Sequence, residues 1–129
     1  MQQEDPSRQI KPPRILVIED DHGLLEILCV NLGASGYTVV KAADGLAGWR
    51  AFEKEHPDLV VLDVNLPHIS GFRLLELFRA SGGPHVPVLA LTAMDFAEAE
   101  DLVRHGLDGF LKKPFAVMEL VERVTGLLR

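Results

Sequence analysis

A chain of 129 residues, 47% hydrophobic and 25% charged, suits one domain with a real core and is too balanced for a disordered or membrane-embedded polypeptide. Its formal charge of −6 argues against direct nucleic-acid binding, which depends on a basic surface to neutralise phosphates. The single cysteine, Cys29, excludes an internal disulfide, and no apolar run approaches the ~20 residues of a membrane span.

Residues 1–13 hold Gln, Glu, Asp, Ser, Lys and three prolines but almost nothing to bury, so they are expected to form a flexible tail ahead of one domain over 14–129. The tail is polar rather than signal-like, and the expected location is the cytoplasm. Ile15-Leu16-Val17-Ile18 reads as a short buried strand that ends in three acids, Glu19, Asp20 and Asp21. His22 to Ala34 then spaces Leu24, Leu25, Ile27, Leu28 and Leu32 as a helix, closed by Gly33 and Gly36, with Cys29 a buried inert thiol among them. A second strand runs from Tyr37 to Ala42. Asp44-Gly45 introduces a second helix with Leu46, Trp49, Ala51 and Phe52, which stops before Pro57.

The central stretch is Asp58-Leu59-Val60-Val61-Leu62-Asp63-Val64-Asn65-Leu66-Pro67. Val60, Val61 and Leu62 do not alternate with polar residues, which marks a parallel strand covered on both faces. Phe72, Leu74, Leu75, Leu77 and Phe78 form a third helix, ended by Gly82-Gly83-Pro84. Val86 to Leu91 is a fourth buried strand with Thr92 at its end. Ala97 to His105 is a weakly amphipathic fourth helix with Leu102 and Val103 its only large apolar residues. Gly109-Phe110-Leu111-Lys112 is a short fifth strand before Lys113-Pro114-Phe115, and Val117 to Leu128 closes the chain as a fifth helix.

Strands alternating with helices predict an α/β fold, a doubly wound parallel sheet with right-handed crossovers. In a flavodoxin-like (βα)5 sheet of order 2-1-3-4-5, the strand order reverses between strands 1 and 3, and ligands bind at that crevice. Glu19, Asp20 and Asp21 therefore meet Asp63 there. Clustered carboxylates repel, and oxygen donors without Cys or His suit a hard cation such as Mg²⁺. Lys113 and Thr92 bring an ammonium and a hydroxyl to the same edge. Together these groups can accept a phosphoryl group and stabilise its oxygens. For Asp21 the simpler reading is a helix cap, and the five scattered histidines have no metal-ligand spacing.

Four motifs in this order resemble one family, the receiver domains of two-component response regulators (chemotaxis-regulator-like receivers): Ile15-Leu16-Val17-Ile18-Glu19-Asp20-Asp21, Leu62-Asp63-Val64-Asn65-Leu66-Pro67 with Gly71, Leu91-Thr92-Ala93, and Lys113-Pro114-Phe115. The resemblance runs from about Arg14 to Arg129. It implies that Asp63 is the phosphoacceptor, that Glu19, Asp20, Asp63 and the backbone carbonyl of Asn65 hold Mg²⁺, and that Thr92 and Lys113 contact the phosphoryl oxygens. Lys112 is then a solvated neighbour. Thr92 and Phe110 are the implied switch pair, altering the face made by helix 4, strand 5 and helix 5. Phe110 stands where Tyr is more usual, so only packing can report the switch. Leu107-Asp108-Gly109-Phe110 departs from the family's common Ala-Asp-Asp-Tyr.

The implied donor is a sensor histidine kinase or phosphotransfer protein. Glu119-Leu120-Val121-Glu122-Arg123 resembles the version in winged-helix regulators, which implies a phosphorylation-dependent homodimer through the same face. No nucleic-acid contact by this domain and no membrane partner are expected. The implied chemistry is confined to the domain's own phosphorylation and dephosphorylation. Asn65 and Met94 are expected to flank the water path, so a polar residue at position 94 should alter hydrolysis of the phosphorylated form. A rival reading, a phosphohydrolase of the haloacid dehalogenase type, needs a second Asp where Asn65 stands. A nucleotide-binding protein needs a Gly-rich cradle that the turn after strand 1 lacks.

Overall fold

The computed structural model describes residues 11–93 and 95–129. Most of the expected tail, residues 1–10, and the position of Met94 lie outside the described residues. Ten elements alternate along the chain: β1 (Arg14–Ile18), α1 (His22–Ala34), β2 (Thr38–Ala42), α2 (Gly45–Glu55), β3 (Leu59–Asp63), α3 (Gly71–Ala80), β4 (Val88–Thr92), α4 (Phe96–Arg104), β5 (Gly109–Lys112) and α5 (Val117–Leu128). The strands form one parallel sheet in the order β2-β1-β3-β4-β5, as the sequence predicts.

The period of two along each strand divides the core between the sheet's two faces. Leu16, Ile18, Val60, Leu62, Val88 and Ala90 point to one side, where Phe52, Leu74, Leu75, Phe78 and Leu102 of α2, α3 and α4 cover them. Ile15, Val17, Leu59, Val61, Leu89 and Leu91 point to the other, against Leu25, Leu28 and Leu32 of α1 and Leu120, Val121 and Val124 of α5. All five residues of β3 and of β4 are buried, whereas the edge strands β2 and β5 keep partly exposed positions. Phe52 and Phe78 stack with ring centroids 4.3 Å apart, and half-buried Trp49 lies over both.

The helix starts follow short-range chemistry. Asp21, Asp44, Ser70 and Asp95 each accept a hydrogen bond from a backbone N–H three residues on, capping α1, α2, α3 and α4. Asp21 is therefore a cap, the simpler of its two readings. Strand starts deviate slightly from expectation. β4 begins at Val88 rather than Val86, because the Val86 carbonyl accepts a bond from the Arg79 guanidinium at 2.7 Å instead of joining the ladder. β2 begins at Thr38 rather than Tyr37, whose hydroxyl pairs with Thr125 on α5 at 2.8 Å. The fourth helix spans Phe96–Arg104 with His105 as its C-cap. All five histidines are exposed and Cys29 is buried, as expected.

Candidate functional site

The carboxyl ends of β1, β3 and β4 and the residue after β5 place four side chains together. Glu19 follows Ile18 and continues the pairing of β1 and β2, its N–H donating to the Ala42 carbonyl at 3.1 Å. Asp63 is the last residue of β3 and Thr92 the last of β4. All three are buried, with Glu19 and Thr92 fully inaccessible. The Lys113 N–H donates to the Thr92 carbonyl at 2.7 Å, which brings the lysine back over the sheet edge. Lys112, one residue earlier, is exposed.

Lys113 Nζ lies 3.1 Å from Glu19 Oε1 and 3.5 Å from Asp63 Oδ2. The other Asp63 oxygen, Oδ1, accepts the Asn65 N–H at 3.0 Å, and Glu19 Oε2 accepts the Asp21 N–H at 3.3 Å. Carboxylate oxygens of Glu19, Asp20 and Asp63 lie within 4.8 Å of one another. Asp20 is exposed, so the cluster opens to solvent on its side. Glu19 and Asp63 thus share one nearby ammonium, and their acidities move apart. Burial, then the hydrogen bond and charge of Asp63, push Glu19 up to about 7. Burial also works against ionised Asp63, but the hydrogen bond from Glu19, the Asn65 N–H and the charge of Lys113 outweigh it and hold Asp63 below the usual carboxylate range. Burial opposes the Lys113 charge as well, yet Glu19 and Asp63 raise its pKa.

The donor set fits a hard divalent cation: three carboxylate oxygens, no soft ligand, and a proton on Glu19 that a cation would displace. Thr92 sits in register with Lys112 of β5, and Phe110, opposite Ala90, is half-buried against the α2–α3–α4 side of the core. Glu19, Asp20, Asp63 and Lys113 therefore converge, Thr92 ends the strand beside Asp63, and Phe110 lies two positions nearer the start of the neighbouring strands.

The loop after Asp63 is set by backbone packing. A Cβ on Gly71 would sit 2.6 Å from Val64 Cα, and the Gly71 N–H donates to the Val64 carbonyl at 3.1 Å. The motif glycine is legible in sequence, but this approach is not. Also absent from the sequence reading is a polar cluster at the opposite end of the sheet. There Arg79, on α3, bonds to Asp108 at 2.7 Å, and Asp108 also accepts from His85 and Val88.

An α/β sheet of this order with acids and a lysine at its switch point defines a class of signalling domain, and comparison with known proteins agrees. Residues 15–125 match the model of the response regulator receiver domain. The chain belongs to this family, the receiver domains of two-component systems, whose function is phosphorelay signalling. It is 39% identical over 121 residues to the DNA-binding dual master transcriptional regulator RpaA of Synechocystis sp., covering 91% of this chain and 49% of that protein. It is 40% identical to the response regulator MprA of Mycobacterium sp. over 92% of this chain and 51% of that protein. The chain thus spans about half the length of these relatives. Among solved structures, the Francisella response regulator 1452 receiver domain superposes with a TM-score of 0.84 at 29% identity, covering 90% of this chain and 96% of that one. A putative response regulator from Chloroflexus aurantiacus gives 0.81 at 34% identity, over 92% and 98% of the two chains.

Proposed function

We propose that Asp63 is the phosphoacceptor of this receiver, and that the domain comprises residues 14–129 behind a flexible tail. The observation that carries this reading is the Glu19–Asp63–Lys113 cluster: a buried carboxylate kept ionised, at the carboxyl edge of the sheet, beside a single ammonium. In the forward step an Asp63 oxygen attacks phosphorus, the N–P bond of a partner's phosphohistidine breaks, and an acyl phosphate forms. In the reverse step water attacks phosphorus, inorganic phosphate leaves, and the carboxylate is restored. The chain catalyses only these two reactions on itself. Glu19, Asp20, Asp63 and the carbonyl of Asn65 would hold Mg²⁺, which when bound neutralises charge on the phosphoryl oxygens. Lys113 would pair with a phosphoryl oxygen in exchange for its present contacts, and Thr92 would offer its hydroxyl.

Engagement of Thr92 is the local event, and repacking of Phe110 transmits it to the face of α4, β5 and α5. That face would then pair with a second copy of the chain. The donor is a sensor histidine kinase or phosphotransfer protein in the cytoplasm. Among the described residues no helix is long and apolar enough to cross a membrane. Relatives of twice this length include named transcriptional regulators, so the output we favour is control of a DNA-binding domain, with no DNA contact by the receiver itself.

Intact mass after incubation with Mg²⁺ and acetyl phosphate tests the reading, with Asp63→Asn as the control. Gain of one phosphoryl group by the wild type and none by the variant is the expected result, accompanied by a shift to dimer on sizing. No gain by a folded wild type would sink the mechanism.

A further inference from the structure

We infer that Arg79 and Asp108 form a clamp that fixes the end of α4 remote from the acids, making it the stationary pivot of the switch face. This rests on the reading of Asp63 as phosphoacceptor only for what drives the motion, not for the clamp itself.

The Arg79 guanidinium makes four hydrogen bonds that tie three segments together. Nε and Nη2 donate to the Gly106 carbonyl at 3.0 and 2.8 Å, Nη1 donates to the Val86 carbonyl at 2.7 Å, and Nη2 donates to Asp108 Oδ2 at 2.7 Å. Asp108 Oδ2 also accepts the Val88 N–H at 2.8 Å, and Oδ1 pairs with His85 Nε2 at 2.7 Å. The two charged side chains are only 21% and 23% exposed, so their bonds are partly shielded from water.

Gly106 is the turn residue that ends α4. At φ +101 it is left-handed, the Gly106 N–H returns to the Val103 carbonyl and the Leu107 N–H to the Leu102 carbonyl. A Cβ there would lie 3.1 Å from Arg79 Nε and 3.3 Å from its Cγ, so the arginine arm occupies the space that glycine leaves. The Asp108 N–H donates in turn to the Val88 carbonyl at 3.1 Å, which sets the pairing of β4 with β5 at its first rung. One cation thus holds the C-terminal end of α4, the start of β4 and the start of β5.

α4 begins three residues after Thr92 at its cap Asp95, whose side chain accepts the Glu98 N–H at 3.0 Å. A helix fixed at one end and close to the switch residue at the other swings rather than slides. Asp108, between α4 and β5, is therefore the second half of the clamp.

Amide hydrogen exchange on the full chain, with and without phosphorylation by acetyl phosphate, tests this. Arg79→Met should speed exchange in α4 of the unphosphorylated protein by about tenfold or more, and should erase most of the phosphorylation-dependent difference there. Arg79→Lys, which keeps the charge but not the fork, should fall between and safeguards against a variant that fails to fold. Tyr37→Phe, which removes the distant bond to Thr125, supplies the effect of general loosening. Equal acceleration of α4 in Arg79→Met and Tyr37→Phe, or none in Arg79→Met, would overturn the clamp. A wild type that takes up no phosphate would overturn the reading of Asp63, while exchange in the unphosphorylated variants would still decide the clamp.

Discussion

The two ends of the sheet carry ionic clusters of similar size and opposite design. At the carboxyl end, the carboxylates of Glu19, Asp20 and Asp63 crowd together with one ammonium against Glu19 and Asp63, and burial, then the neighbouring Asp63, pushes Glu19 up to about 7. At the other end, Arg79 and Asp108 neutralise each other, and the guanidinium makes four well-directed bonds. The first cluster is short of positive charge and the second is not. Charge left unbalanced in a buried place marks a site awaiting a cation or a phosphoryl group, whereas balanced charge marks structure. Neutralising Glu19 should therefore stabilise the first end, and removing the Arg79 charge destabilise the second.

The largest effect should come from neither set of charges. If the carboxyl end tolerates its repulsion because backbone packing holds it, then a methyl group forced into that packing must cost most. Gly71→Ala places a carbon 2.6 Å from Val64 Cα, and backbone cannot step aside as a side chain can. Urea unfolding should show a loss of about 3 kcal/mol or more, with phosphoryl uptake at Asp63 impaired alongside. A loss below ~1 kcal/mol would mean that the loop is slack and the comparison wrong at that end.

Arg79→Met comes next, at a cost of about 2–3 kcal/mol, since it takes the cation from Asp108 and leaves two backbone carbonyls without their donor in a partly buried setting. Glu19→Gln should act with the reverse sign. Because the folded state raises the Glu19 pKa from 4.5 to about 7, the folded protein holds a proton that the unfolded chain has released. As far as this group is concerned, stability without metal should therefore be highest at and below pH 4.5, fall as pH rises from there and level off above about 7. In EDTA the wild type should lose about 2 kcal/mol between pH 5 and pH 8, and Glu19→Gln should lose less and be the more stable protein at pH 8. Mg²⁺ should restore the wild type at pH 8, and not the variant, and its binding below about pH 7 should release the Glu19 proton. A flat profile in EDTA would remove the charge imbalance from the account.

The same contrast explains what the sequence made legible. The buried strands, the helices and the order 2-1-3-4-5 follow from continuous apolar runs such as Val60-Val61-Leu62 alternating with helical spacing, and the acids could be placed because they end a strand or directly follow one. Strand ends are local in sequence. The clamp is not: Arg79 reads as one more charge on an amphipathic helix, Asp108 and His85 as loop residues, and their meeting depends on where α3 and the α4–β5 turn end in space. The early start assigned to β4 failed for the same reason, as Val86 is apolar and extended but its carbonyl belongs to Arg79. The Gly71 contact is likewise a property of the packed backbone rather than of the motif.

The smallest predicted effect separates the two ends by their turns. At the clamp the left-handed position is filled by Gly106, at φ +101, where no strain arises. In the loop after Asp63 it is filled by His68, at φ 70, and the Ile69 N–H closes back on the Pro67 carbonyl at 2.8 Å. A bond between residues two apart around a centre near φ +75 is the rare, strained form of the γ-turn. His68 is exposed, so no burial compensates. His68→Gly relieves that strain while adding freedom to the unfolded chain, and the two partly cancel, leaving a gain of about 0.5 kcal/mol in urea unfolding. His68→Val, β-branched at the same φ, should lose about 1 kcal/mol or more. Equal stability of the glycine and valine variants would show that the loop relaxes to suit its occupant, in which case the strain is not held by the fold around Asp63.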